Sequence, residues 1–171
     1  GDVYKRQTMG SGKTAQTIDY LKNSFGGFCW IAHNKALVAG TLTRLHDAHV
    51  ECKSYLALDA KKKKEGGLNK FQNLCICAHS LHYISTDKRY RVLVIDEIES
   101  VVDAFIGDFM NKSAPDTKAK SFAVFKNLIL TSEKVILIDA FITMKTINLI
   151  QLIDPHAKIN LIMQSNITPS K

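Results

Sequence analysis

The 171-residue chain contains no apolar run approaching the roughly 20 residues that a helix needs to cross a bilayer; its purest aliphatic stretches, Val92–Ile95 and Val135–Ile138, stop after four. No continuous apolar segment of the kind that marks a secretory signal is read near its start. Cysteine is scarce, and Cys29, Cys52, Cys75 and Cys77 lie inside apolar, strand-like runs rather than at the spacings of a disulfide framework. These absences point to no membrane association and to an intracellular, reducing setting. Internal repeats and low-complexity tracts are missing too. What remains, 46% apolar and 23% charged residues, is the composition of one globular domain able to bury a core.

Acidic residues are the minority, 16 against 23 Lys and Arg, and the net charge of +7 favours polyanionic partners without identifying one. Four of the lysines form the run Lys61–Lys64 beside Gly66 and Gly67; by itself such a run reads as a solvated loop.

Apolar periodicity alternates along the chain between helical and strand-like. It predicts helices over residues 12–23, 34–45, 98–109, 117–130 and 143–153, with a helical turn at 80–84. Strands are predicted over 28–32, 50–55, 74–78, 91–96, 134–139 and 158–163, and a polar connection over 57–67. Continuous aliphatic strands separated by helices mean an α/β fold, an open and mainly parallel sheet with helices on both faces.

Residues 8–14 read T-M-G-S-G-K-T, the last seven positions of the phosphate-loop pattern G-x-x-x-x-G-K-[ST], whose first glycine would fall at Gln7. At that spacing Gly10, Ser11 and Gly12 let a loop curl until backbone N–H groups and the next helix N-terminus surround a phosphate. Lys13, its ammonium exposed in the loop, would reach the terminal phosphates of ATP, and Thr14 would ligate Mg²⁺. A second motif, Asp96-Glu97-Ile98-Glu99, closes the clearest strand. An acid at the carboxyl end of a parallel strand lies in the crevice where open α/β sheets bind ligands. Asp96 is placed to hold Mg²⁺ through water, and Glu97 to polarise the water that attacks the γ-phosphate. Asp139-Ala140 closes a third aliphatic strand at the same edge, either as the approach to a helix cap or as a coupling element between nucleotide and nucleic acid.

Short polar donors follow two other strands: His33, Asn34, Lys35, then Thr41, Thr43 and Arg44 after one, and His79, Ser80 and His82 after the other. Such donors at strand ends suit phosphate contacts and outline a nucleic-acid track. Cys75, Cys77, His79 and His82 also invite a zinc reading. All four would come from one strand and its immediate turn, which departs from paired zinc knuckles, so buried structural cysteines are the better reading.

The first seven residues, G-D-V-Y-K-R-Q, resemble the translation of a transposon mosaic-end sequencing adapter and run straight into the phosphate-loop motif with no strand between. Residues 1–7 are accordingly read as a scar, expected to pack poorly, on a gene fragment cut at its N-terminal edge.

The order G-S-G-K-T, F-C-W-I-A-H-N-K-A-L, C-A-H-S-L-H, D-E-I-E and I-D-A resembles the first RecA-like domain of superfamily 2 helicases. More narrowly, D-E-I-E-S at Asp96–Ser100, H-S-L at His79–Leu81 and D-A-F-I-T at Asp139–Thr143 resemble the herpesvirus-type replication origin-binding protein helicases. The resemblance implies a RecA-like fold, ATP and Mg²⁺ as ligands, DNA as partner and a role in viral or mobile-element replication within an infected host cell. It also implies that residues 8–163 form an N-terminally truncated first RecA-like domain. Residues 164–171 would then begin a linker to a missing second domain, which supplies arginine fingers, so that this chain alone turns over little ATP. Asn34 stands where the family often has Arg, and D-A-F-I-T replaces the S-A-T form of many superfamily members. Another superfamily 2 translocase and a small P-loop kinase are the alternatives. The kinase predicts an arginine-rich lid, whereas no Arg occurs between Asp96 and Asp139. A non-catalytic DNA-binding module leaves G-S-G-K-T and the Asp96-Glu97 pair unexplained.

Overall fold

Strand β1 (Phe28–Ala32) is buried along its whole length, as a strand must be when both faces of its sheet are covered. The same holds for most of β3 (Asn73–Cys77), β4 (Val92–Asp96) and β5 (Lys134–Ile138), each a run of apolar residues with one polar end. The computed structural model describes residues 2–110, 116–156 and 159–162, with side chains over 12–107 and 116–156. With the short β2 (Lys53–Ser54) and β6 (Ile159–Ile162), the strands form a six-stranded sheet in the order β2-β3-β1-β4-β5-β6. All pairings are parallel, in registers such as Trp30 with Val94 and Asp96 with Ile138.

Helix α2 (Lys35–Asp47) carries the chain leftward from β1 to β2, whereas α4 (Ile98–Met110), α5 (Asp116–Thr131) and α6 (Met144–Ile153) serve rightward crossovers. Right-handed crossovers in opposite directions place these two groups on opposite faces. Helix α1 (Asp2–Lys22) shares a groove with α2 and packs on β5, while α4, α5 and α6 pack on one another around Phe105, Phe122 and Phe125. Between α1 and β1 the turn depends on glycine: Gly26 has φ 84°, and a Cβ on Gly27 would meet the Gln72 carbonyl oxygen at 2.4 Å.

Three expectations change. The phosphate-loop residues Gly10–Thr14 are not a loop but part of α1, which runs unbroken from Asp2. Nothing between Asp2 and Gln7 breaks a helix, and two glycines at about 1 kcal/mol each weaken one without ending it. The strand predicted over 50–55 contracts to Lys53–Ser54 at the sheet edge. The polar connection contains α3 (Ala60–Lys64), started by Asp59, whose carboxylate accepts the Lys62 N–H at 2.8 Å. The packing of residues 1–7 and everything after residue 162 lie outside the described side chains or backbone. Among the described residues no helix is long and apolar enough to cross a membrane.

Candidate functional site

Because every strand runs the same way, the residues that follow β1, β3, β4 and β5 emerge at one edge of the sheet. Asp96 is the last residue of β4 and pairs in register with Ile138, so Asp139 lies one step further out on the neighbouring strand. Helix α1 brings Lys13 to the same place. The residue is buried, 6% exposed, and its Nζ donates to the Asp139 carbonyl at 2.8 Å. The expectation of an exposed ammonium is thereby corrected: in a helix laid on the sheet, Lys13 points inward. Burial lowers its pKa despite the opposing charges of Asp139 and Asp96.

Asp96 is raised from 3.8 to about 6, first by burial and then by the Glu97 carboxylate and Asp139, against the Glu97 backbone N–H. Trp30, wholly buried on β1, faces the same carboxylate, although its Nε1 falls short of hydrogen-bond geometry and has no partner. Glu97 itself is exposed and sits in the left-handed region at φ 50°, the bend that joins β4 to α4. Its carbonyl accepts the first helical bond, from Val101 N at 3.2 Å.

The side chain of Asp139 ties the edge together. Its Oδ2 accepts the Glu99 N–H at 3.0 Å and its Oδ1 the Phe141 N–H at 3.3 Å. Glu99 in turn accepts from the Thr143 hydroxyl at 2.8 Å and the Thr143 N–H at 3.2 Å, and Thr143 caps α6. Burial alone would raise Glu99, but these Thr143 contacts and the Lys145 charge hold its carboxyl below the usual range; Thr146 Oγ1 faces it without reaching bonding geometry. A continuous path therefore runs Lys13, Asp139, Glu99, Thr143. Sequence reasoning singled out Asp139 but missed the roles of Glu99 and Thr143. The signal was there: an acid in the first turn of α4, and a threonine just ahead of an apolar helical period.

Thr14 is buried beside Lys13, Gly12 has open space around its Cα, and Ala140 is exposed past Asp139. Gly10 and Ser11 belong to the α1 backbone, and their side-chain surroundings lie outside the described set.

The expected nucleic-acid residues divide. His33 follows β1 half-buried, with Nδ1 lacking a partner, and Lys35 is exposed next to it. Asn34 is a helix cap, its Oδ1 accepting the Leu37 N–H at 2.9 Å. His79, exposed, and Ser80, half-buried, begin the 3₁₀ turn Ala78–Tyr83 after the adjacent β3, so these two groups share an edge about 5 Å apart strand to strand. Arg44 does not join them. It lies nine residues along α2 from Lys35, about 14 Å down the helix axis, and lines a groove of about 420 Å³ with Asp19, Lys22 and Asp47 toward the opposite edge. Thr41 is buried, whereas Thr43 is exposed and its hydroxyl donates to the Ala39 carbonyl of its own helix. His82 is held by Ser121 and by the His79 carbonyl, with its pKa lowered by burial first.

The cysteines are free and buried. Burial pushes the Cys52 thiol up to about 12 and those of Cys29 and Cys75 higher still, the reverse of what a metal-binding thiolate needs. Cys75 and Cys77 donate to the Val38 and His33 carbonyls.

Residues 3–170 match the family model described as origin of replication binding protein. A replication origin-binding protein of Human herpesvirus 7 (strain JI) is 29% identical over 162 residues, covering 94% of this chain and 19% of that protein. Putative helicase/primase complex proteins of African swine fever virus, isolates Pig/Kenya/KEN-50/1950 and Tick/Malawi/Lil 20-1/1983, are 27% identical over 150 residues, covering 87% of this chain and 14% and 13% of theirs. The chain thus spans a fifth or less of the length of these relatives.

Proposed function

The chain belongs to the origin of replication binding protein family, and from that premise we propose that it is the ATP-binding motor segment of a DNA helicase acting in replication. The observation that carries the reading is the meeting of Lys13, Asp96 and Asp139 at the carboxyl edge of an all-parallel sheet. In this reading residues 8–163 are the first RecA-like unit, and a second such unit supplies the arginine that closes the site on the transferring phosphoryl group.

Lys13 serves the β- and γ-phosphates of ATP, giving up its bond to Asp139 for a stronger anionic partner. Asp96 suits Mg²⁺: a carboxyl held up by burial and by Glu97 gains most from a nearby dication. Thr14 and Asp96 would hold the ion, which when bound neutralises charge on the phosphates. Glu97, exposed next to Asp96, orients and polarises the attacking water. The path from Asp139 through Glu99 to Thr143 couples that chemistry to α6. The described backbone offers no ready phosphate cradle, since α1 spends the Gly12–Thr14 N–H groups on its own carbonyls. Triphosphate binding would therefore uncoil the start of α1, and its glycines keep that step cheap.

His33, Lys35, His79 and Ser80 line the DNA side of the same edge. Calorimetric titration of MgATP into the chain and its Lys13→Ala variant tests the site: binding in the parent and none in the variant is expected, and equal affinity overturns the assignment. In the whole protein Glu97→Gln should keep MgATP affinity and lose hydrolysis. Equal loss of both would make Glu97 structural. A phosphorylated small-molecule product formed without DNA would make the site that of a kinase.

A further inference from the structure

Helix α3 is an unusual object on physical grounds. It has five residues, four of them the consecutive lysines Lys61–Lys64. Helices this short do not hold themselves together, and like charges one turn apart oppose them. Two contacts fix it in place. Asp59 caps its start, and the Lys63 ammonium lies between two aromatic rings, 5.4 Å from the Tyr55 centroid and 5.3 Å from that of Tyr83. Tyr55 is buried, which holds its ring in place, and its hydroxyl faces Ser80.

With Lys63 turned inward, the helical step of about 100° per residue spreads Lys61, Lys62 and Lys64 over the outer surface, where all three are exposed. Among the described residues none of the three is paired with a carboxylate. The nearby acids are Asp59, occupied as a cap, and Glu65. The surface does not end at α3. Tyr83 belongs to the same 3₁₀ turn as His79 and Ser80, and the charges of both Lys63 and Lys120 reach His82. Lysines on two elements, α3 and the exposed Lys120 on α5, thus bring positive charge to His82, in the same 3₁₀ turn as the strand-end residues of β3.

We propose that the Lys61–Lys64 helix, pinned by Tyr55 and Tyr83, is a phosphate-backbone contact for single-stranded DNA that extends the strand-end track outward beyond β3. This goes beyond the helicase reading above, which places DNA only at His33, Lys35, His79 and Ser80. Unpaired lysines on a fixed helix suit a polyanion with repeated charges, because releasing condensed counterions from its phosphates drives binding.

The test is fluorescence anisotropy with a labelled oligo(dT) 20-mer, titrated at several salt concentrations against the parent chain and the triple variant Lys61→Gln/Lys62→Gln/Lys64→Gln. Lys63 is left in place so that α3 stays anchored. Removing three phosphate contacts should lower the slope of log K against log salt by about 2, which at 0.1 M salt is a loss of about a hundredfold. The triple Lys→Arg variant should restore the parent slope. An unchanged slope in the Gln variant, or failure of both triples alike, overturns the proposal. So does equal affinity for poly-glutamate, which would make the surface a docking site for an acidic protein. MgATP titration of the same variants separates this from the nucleotide site: the Gln triple should bind MgATP as the parent does, whereas failure of the helicase reading would appear in the parent itself.

Discussion

Replacing Asp96 with asparagine should make the protein more stable at neutral pH while removing the carboxylate proposed to hold Mg²⁺. Burial and the Glu97 carboxylate raise Asp96 from 3.8 to about 6. At 1.36 kcal/mol for each tenfold change, the ionised side chain then costs the fold about 3 kcal/mol at pH 7. The sign follows from the proton. The fold prefers the protonated acid, so the favourable contribution of this group is fully present below pH 3.8 and is lost as pH rises through about 6. Asparagine is neutral throughout and can still accept the Glu97 N–H. Its advantage should therefore be largest at pH 7 and fade toward pH 4. For a chain of this size about 3 kcal/mol corresponds to roughly 6–12 °C in Tm. Urea and thermal melts of parent and Asp96→Asn at pH 4, 5 and 7 read it directly. A variant less stable than the parent at pH 7, or a difference that does not vary with pH, would refute the account of Asp96 as a strained, charge-crowded group.

Gly27→Ala should destabilise the fold by more than about 2 kcal/mol in urea melts, because its Cβ would lie 2.4 Å from the Gln72 carbonyl oxygen and backbone must move; a neutral effect would refute the need for glycine in this turn. Gly12→Ala meets nothing within 4 Å and should stabilise α1 by about 1 kcal/mol, yet weaken MgATP binding about fivefold if the helix start must uncoil; unchanged affinity in calorimetry would remove the uncoiling step. Thr143→Val loses the hydroxyl that bonds Glu99 at 2.8 Å and caps α6, and should cost about 1–2 kcal/mol. Since Glu99 is held below its ordinary 4.5, that cost should shrink in melts as pH falls below this value; a constant cost would leave capping alone responsible.

The core of the fold was legible because it is local and repetitive. Phe28–Ala32 reads as a buried strand from its sequence alone and is one, and the two aliphatic runs ending in Asp96 and preceding Asp139 fall on adjacent strands at one edge. Parallel topology does the rest, since it sends every strand end to the same side. Less legible were features set by long-range geometry. Arg44 shares a helical segment with Lys35, and only the length of α2 separates it from the track. Whether Lys13 faces solvent or sheet depends on how α1 lies on β5, and no periodicity encodes that. The Lys61–Lys64 run reads as solvated charge until Tyr55 and Tyr83, 8 and 20 residues distant from Lys63, close around it.

Trp30 is the sole tryptophan of the chain, wholly buried, on the strand beside β4 and on the same sheet face as Asp96 two residues beyond its partner Val94. The protein therefore carries an optical gauge inside its candidate metal site. Its indole emission is free of background from other tryptophans, and the unpartnered Nε1–H is poised to register any change in the charge on that carboxylate. Acid titration through pH 6, a dication arriving at Asp96 or ATP at Lys13 can each be followed in the unlabelled chain at micromolar concentration, before a single side chain has been altered.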